Sequence, residues 1–350
     1  MKFKLSTAKM TVILNRVAKG VGSSKVLPIT EYLRLTLEDG TLTVIATNSV
    51  NFITSITKEV TGKNGEVIVK ADQLIKLVTK TTKPEISFTE KEDHLEVKGN
   101  GTYKIPLFET NKYPTYEFDS SVKKVEVETK VLKKAFAINS SSVAAEMTMP
   151  CLTGYRMGSK AITTDGVKMC INETNILHED ALITQALADL INTLSGEKVT
   201  VQKDDNNLLF TTENVVVFGT ELDGLDEYPD ITPILSIDYP NYAIVNKPHL
   251  LDALERLNLF VDPFDNNGVK LTFSKKGLKI EDLKQNSNEI LEYTEKSQKK
   301  EIGMVVNLVL LKDLLGSLGK ESVKFQYDVD QPIKIVEENV SLILSTMDTE

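Results

Sequence analysis

Residues 71–88 read ADQLIKLVTKTTKPEISF. Leu74, Ile75, Leu77 and Val78 form an apolar stripe at helical spacing, with Lys76, Lys80 and Lys83 on the other side. Pro84 stops the helix, and Glu85-Ile86-Ser87-Phe88 alternates as a strand. The pattern returns at 184–201, TQALADLINTLSGEKVTV, and at 307–325, NLVLLKDLLGSLGKESVKF. Each copy is a leucine-rich helix, a Gly or Pro break, and a strand core ending at Phe88, Val201 or Phe325. The period is roughly one hundred residues, the mark of an internally repeated architecture.

The copies match on both sides of this segment. Each opens with a strand and helix: KFKLSTAKMTVILNRVAKG, KVEVETKVLKKAFAIN and YAIVNKPHLLDALERLNLF. Each continues into a hairpin: YLRLTLEDGTLTVIATN, CLTGYRMGSKAITTDG and VKLTFSKKGLKIED. Asp39-Gly40 and Lys276-Gly277 stand where a tight turn needs positive φ. The first two copies end alike, in Lys112-Tyr113-Pro114 and Glu227-Tyr228-Pro229. Boundaries fall near 119 and 238, giving domains 1–119, 120–238 and 239–350. Strands interrupted by two helices per copy predict an α+β fold, with antiparallel sheets covered on one face by helices.

A chain of 350 residues exceeds one ordinary domain. With 41% hydrophobic and 26% charged residues it reads as soluble and globular. No apolar run is long enough to span a membrane. The opening MKFKLSTAKM carries no signal-peptide core, so a cytoplasmic location is expected. Cys151 and Cys170 form no CxxC pair and suit a reducing compartment as buried small hydrophobes.

The formal net charge is -9, yet the predicted helices are together net positive. In the first, Met10, Ile13, Leu14 and Val17 form the buried stripe, and Arg16 and Lys19 point away from it. In the third, Leu132, Ala135 and Phe136 face inward, and Lys130 and Lys134 face out. Helices 184–194, 249–260 and 308–320 carry mixed charge, with Asp189, Arg256, Asp252, Glu255, Lys312, Asp313 and Lys320. Lysine-backed helices in an acidic chain describe a local basic surface. Without interleaved aromatics, such a surface meets phosphates and reads no sequence.

In order and spacing, several stretches resemble the bacterial-type DNA polymerase sliding clamp, the β subunit that serves as its processivity factor. They are Met1-Lys2-Phe3, Lys25-Val26-Leu27-Pro28-Ile29, 42–48 (LTVIATN), Thr164-Asp165-Gly166, Tyr228-Pro229-Asp230 and 301–307 (EIGMVVN). The resemblance covers essentially the whole chain. It implies three repeated domains of DNA-clamp fold and a head-to-tail homodimer closed into a ring around double-stranded DNA. It implies tethering of the replicative DNA polymerase, opening by a clamp loader that uses ATP, and no catalysis, cofactor, metal or membrane partner of its own.

Carried across, the resemblance makes Lys25 a DNA contact, beside Arg16, Lys19, Lys76, Lys80, Lys83, Lys130 and Lys134 from the helices. It places a client-peptide pocket at the junction of the second and third domains. The pocket residues are Cys151, Thr164, Gly166, Lys168, Met169, Pro229, Ile234, Ile343, Ser345 and Met347. It places a dimer seam between Tyr103–Ile105 and Leu259, Phe260 and Val261. Leu259 is read on the polar side of its helix, which favours an interface. Two features depart from the family: the chain reads 345–350 STMDTE where a Met-Pro-Met-Arg-Leu-like tail is usual, and Ile231-Thr232-Pro233-Ile234 where paired arginines are usual.

Enzyme readings find little. Gly20-Val21-Gly22-Ser23-Ser24-Lys25 lacks the phosphate-loop spacing and follows a helix rather than a strand. His94, His178 and His249 are scattered. The alternatives are a metal-dependent nuclease, which needs converging carboxylates, and a structural repeat protein.

Overall fold

In the computed structural model, residues 1–109, 113–145, 149–297 and 300–347 are described. Lys112 and the tail residues Asp348, Thr349 and Glu350, singled out above, lie outside them. The helices are α1 (Thr7–Val17), α2 (Ala71–Thr79), α3 (Thr129–Asn139), α4 (Gln185–Ile191), α5 (Thr232–Leu235), α6 (Lys247–Leu257) and α7 (Leu308–Gly316). The chain forms two compact units: 1–133 with 183–221, and 134–182 with 222–350. The middle repeat is divided between them.

Local chemistry sets the helix starts. Ser6, Thr184, Asn246 and Asn307 each accept a hydrogen bond from the backbone N–H three residues on, satisfying a donor that the first turn leaves open. The predicted stripes are the buried faces. α1 buries Met10, Ile13, Leu14 and Val17, and α2 buries Ala71, Leu74 and Val78. Ile75 and Leu77 are only half-buried.

The first unit is built on one 13-stranded antiparallel sheet. Strand Lys2–Ser6 pairs with Glu85–Glu90 so that Phe3 lies opposite Phe88. Their rings stack at 4.6 Å, both buried. The Thr7 N–H donates to the Pro84 carbonyl at 2.9 Å, tying the entry of α1 to the break after α2.

The second unit holds a 9-stranded and a 4-stranded sheet. α6 and α7 pack on a core that includes Val245, Phe273, Leu311, Phe325, Tyr327 and Leu342. Phe273 stacks on Tyr327 at 3.8 Å. Phe88, Val201 and Phe325, the repeat markers, are all fully buried.

Some expectations change. α4, α6 and α7 end at Ile191, Leu257 and Gly316, short of residues 194, 260 and 320. Leu194 and Leu318 stay buried past the ends of α4 and α7, but Leu259 and Phe260, past α6, leave the core. Leu259 is 80% exposed and Phe260 52%. Leu259 therefore lies beyond the end of α6 rather than on its polar side. At Asp39-Gly40 both residues have positive φ, 45° and 76°. At Lys276-Gly277 only the glycine does, and a Cβ on Gly277 would sit 2.5 Å from the Leu291 carbonyl oxygen.

Phe88→Ala removes a fully buried ring that stacks on Phe3. Chemical denaturation should show a loss of about 3–5 kcal/mol, the usual range for an aromatic truncated in a core.

Candidate nucleic-acid interface and peptide pocket

The cations divide into tethered and untethered. Arg16 is half-buried on α1, donating from Nη1 to Ser55 Oγ and from Nη2 to Ser195 Oγ, both at 3.1 Å. Burial lowers its pKa from the usual guanidinium value. This sets Arg16 apart from Lys9, Lys19, Lys80, Lys83 and Lys134, which are exposed and make no ion pair among the described residues. Lys76 meets Asp72 one turn back at 2.7 Å, and Lys130 meets Glu128 at 3.0 Å, both in open solvent. Such pairs are weak and leave the lysines free to exchange partners. Lys25 is exposed in a loop where Ser24 Oγ accepts from the Val26 and Leu27 N–H groups.

The third repeat is different. Arg256 is held by Glu289 through two bonds of 2.7 Å, and Lys312 by Glu255 at 2.6 Å. Asp252 and Asp313 are exposed beside them. Exposed lysines without an ion pair among the described residues therefore stand on α1 and α3, as Lys9 and Lys134, and just past the ends of α1 and α2, as Lys19, Lys80 and Lys83.

Sheet edges provide the second element. Strand Phe52–Thr57 of the first repeat pairs antiparallel with Val215–Thr220 of the second, with Ile53 opposite Val217. Strand Lys168–Asn172 of the second pairs with Val340–Leu344 of the third, with Cys170 opposite Leu342. Both joints are buried, and the first is reinforced by Tyr116 stacked on Phe218 at 4.1 Å. The registers make Tyr103 the equivalent of Val217 and Leu342, because Val97, Phe210 and Ile335 lie opposite them on the neighbouring strands. The same reasoning makes strand Asn288–Leu291 the equivalent of Phe52–Thr57 and Lys168–Asn172.

These two remaining edges are open among the described residues. Residues 102–106 pair only with strand His94–Lys98, and Asn288–Leu291 only with Gly277–Asp282. Tyr103 is 41% and Ile290 56% exposed, whereas Ile105 is buried opposite Leu95. Val261 packs partly buried against the core of the second unit.

Asp282 shapes the turn before the open strand. Its carboxylate accepts from the Ser287 Oγ at 2.8 Å, the Ser287 N–H and the Lys284 N–H at 3.1 Å. Burial pushes its pKa up, but the hydrogen bonds outweigh this and hold it below the usual aspartate value.

The predicted pocket residues gather within the second unit. Cys151, Met169 and Ile343 are buried in one apolar cluster with Leu152, Ile162 and Tyr228, and Ile234 of α5 packs on its side. Thr164 Oγ1 donates to the Lys168 carbonyl at 2.9 Å and accepts from the Gly166 N–H at 3.1 Å. Gly166 has φ +89°. Lys168 lies 3.9 Å from Asp165. The Ser345 N–H donates to the Val167 carbonyl and the Met347 N–H to the Val305 carbonyl. Pro229 follows the buried Tyr228 and is half-exposed.

Residues 1–117 match the family model for the N-terminal domain of the DNA polymerase III beta subunit. A Bacillus subtilis beta sliding clamp is 23% identical over 313 residues, covering 83% of this chain and 82% of its own. One from Rickettsia felis is 21% identical, covering 96% and 95%. Among solved structures, the Bacillus subtilis DNA polymerase sliding clamp superposes with a TM-score of 0.89 at 19% identity, covering both chains fully. The beta subunit from Streptococcus pyogenes gives 0.90, also at 19% and full coverage.

Over nearly its whole length the chain is similar to bacterial beta sliding clamps, and it shares their fold.

Two devices were not legible in the sequence. Tyr113 and Tyr228 were visible as repeated Tyr-Pro pairs, but not as plugs. The Tyr113 hydroxyl donates to the Tyr32 and Ile45 carbonyls at 3.1 and 3.0 Å, and the Tyr228 hydroxyl is 3.4 Å from the Ile162 carbonyl. Burial raises both phenol pKa values, against the opposing charges of Arg34 and Arg156. The tether on Arg16 was the other, because Ser55 and Ser195 are far away in sequence.

Asp282→Asn should lose about 1.5–3 kcal/mol at neutral pH, the worth of hydrogen bonds to a charged group. The folded pKa is depressed, so this contribution is complete above the unfolded aspartate value and disappears as pH falls through the folded one. Denaturation of both proteins across an acid series should show the gap closing there.

Proposed function

We propose that two copies of this chain join head to tail into a ring that encircles duplex DNA and tethers the replicative polymerase. The open third joint carries this reading. Two of three equivalent edge pairings are made within the chain, and residues 102–106 and Asn288–Leu291 are left with unpaired backbone. A second copy supplies both missing partners, and a head-to-tail contact that closes makes a ring. Transferring the internal registers sets Tyr103 opposite Ser287 and Thr102 opposite Asn288 of the other copy. Leu259 and Phe260 then lie beside that seam.

Each copy would contribute three domains, 1–119, 120–238 and 239–350. Lys19, Lys25, Lys76, Lys80, Lys83, Lys130 and Lys134 would attract phosphates, with Arg16 bracing the first joint instead. Attraction of this kind is nonspecific and mobile, so retention comes from closure. The polymerase would dock a peptide on the cluster around Cys151, Met169, Ile234 and Ile343. A clamp loader would open the ring, and the protein would work in the cytoplasm without catalysis. The similarity to beta sliding clamps over most of the chain supports this reading over a metal-dependent nuclease or a structural repeat protein.

Loaded protein should stay on nicked circular duplex and run off after linearisation; equal retention on both would sink the sliding mechanism. Lys80→Glu, Lys130→Glu and Lys134→Glu together should weaken DNA retention, each lost contact reducing the salt slope by about 0.9. Leu259→Asp with Phe260→Asp should convert dimer to monomer in sedimentation with the melting temperature of the monomer unchanged. A dimer that survives both substitutions would move the seam elsewhere.

A further inference from the structure

The strand registers set Arg34, Arg156 and Lys270 at equivalent positions, opposite Ile45, Ile162 and Glu281. In the first repeat, Arg34 pairs with Glu66 at 2.6 Å, and the Tyr113 hydroxyl sits on the Ile45 carbonyl. In the second, Arg156 pairs with Asp180 at 2.6 Å and lies 5.3 Å over the ring of Tyr228, whose hydroxyl faces the Ile162 carbonyl. Each of these two repeats thus seats one tyrosine, followed by proline, against a cation and a strand carbonyl.

The third repeat has the seat and, among the described residues, no tyrosine in it. The place is a groove of about 1420 Å³, lined by Lys270, Glu281, Gly303, Val305, Asp330 and Met347. Gly303 stands where Glu66 stands in the first repeat, since both lie opposite the threonine two residues past the cation. Lys270 makes no ion pair among the described residues. Met347 bridges to Val305 as Phe108 does to Ile68, so the floor of the seat is kept.

We propose that this groove is a docking site for an extended segment of a partner protein that inserts a Tyr-Pro pair beside Lys270. The chain's own Tyr113-Pro114 and Tyr228-Pro229 show what the seat accepts. Among the lining acids, Glu281 and Asp265 lie beside Lys279 and Lys284, and Asp282 is held in its turn. The exposed Asp330 makes no ion pair among the described residues, which favours a basic residue next to the tyrosine, as in the sequence Asn111-Lys112-Tyr113-Pro114. Met347, one of the predicted client-pocket residues, lines this groove, whereas Cys151, Met169 and Ile343 lie in the apolar cluster described above.

The probe is a labelled peptide with the sequence of residues 111–116, NKYPTY, titrated into the full chain by fluorescence anisotropy. Saturable binding is expected, weakened at least about tenfold when the peptide's tyrosine at position 113 is replaced by alanine. Gly303→Trp fills the seat; the nearest atom to a Cβ there is the flexible end of Lys270 at 3.3 Å, with Thr272 Oγ1 and the Leu271 carbonyl oxygen at ordinary contact distances of 3.7 and 3.9 Å. Lys270→Trp fills it from an exposed position. Both should abolish peptide binding with unchanged melting temperatures. Absence of binding by the parent chain, or equal binding by both variants, overturns the proposal. So does a parent that binds no peptide but loses self-association on Gly303→Trp, which would make a second copy the occupant.

Discussion

A β-strand edge presents unpaired N–H and C=O groups, and these must be covered or joined. That constraint organises this protein more than any single side chain. Edge pairing of 52–57 with 215–220, and of 168–172 with 340–344, fuses strands from successive repeats into continuous sheets. The two compact units follow these joints rather than the sequence repeats, each holding one joint at its centre. The apolar residues at the joints, Ile53 against Val217 and Cys170 against Leu342, make them permanent parts of the core. The third pair of edges carries Thr102 and Lys104 beside Tyr103, and Asn288 and Glu289 beside Ile290, with Tyr103 and Ile290 exposed rather than packed into a core.

Much of this was legible in the sequence, for a physical reason. Helical stripes such as Met10-Ile13-Leu14-Val17 and strand cores ending at Phe88, Val201 and Phe325 depend on local periodicity, which one sequence displays directly. The strand–helix–hairpin order in three copies then fixed the α+β class. What stayed hidden involves long-range partners. Arg16 looked like any exposed cation until Ser55 and Ser195 were found at its guanidinium. Leu259 looked like part of a helix until the helix ended at Leu257. The pocket residues came together because registers such as Met169 against Ile343 are fixed by sheet topology, which periodicity does not encode.

Internal repetition also gives a standard against which local differences acquire meaning. Arg34 with Glu66 and Arg156 with Asp180 repeat one device, and its partial loss at Lys270 and Gly303 stands out only by comparison. The same standard separates Arg16, which braces a joint through hydroxyls, from its counterpart Arg256, which is occupied by a carboxylate on the open strand.

The uneven charge of the helices has a kinetic consequence. In a ring of the proposed kind, phosphates would pass lysines on α1 to α3 and then the neutralised or acidic faces of α6 and α7. Attraction would come in scattered, solvent-screened patches instead of a continuous cationic lining. The resulting wells would be shallow and poorly matched to the spacing of the duplex, so thermal motion alone would carry the tethered machinery along it with little drag.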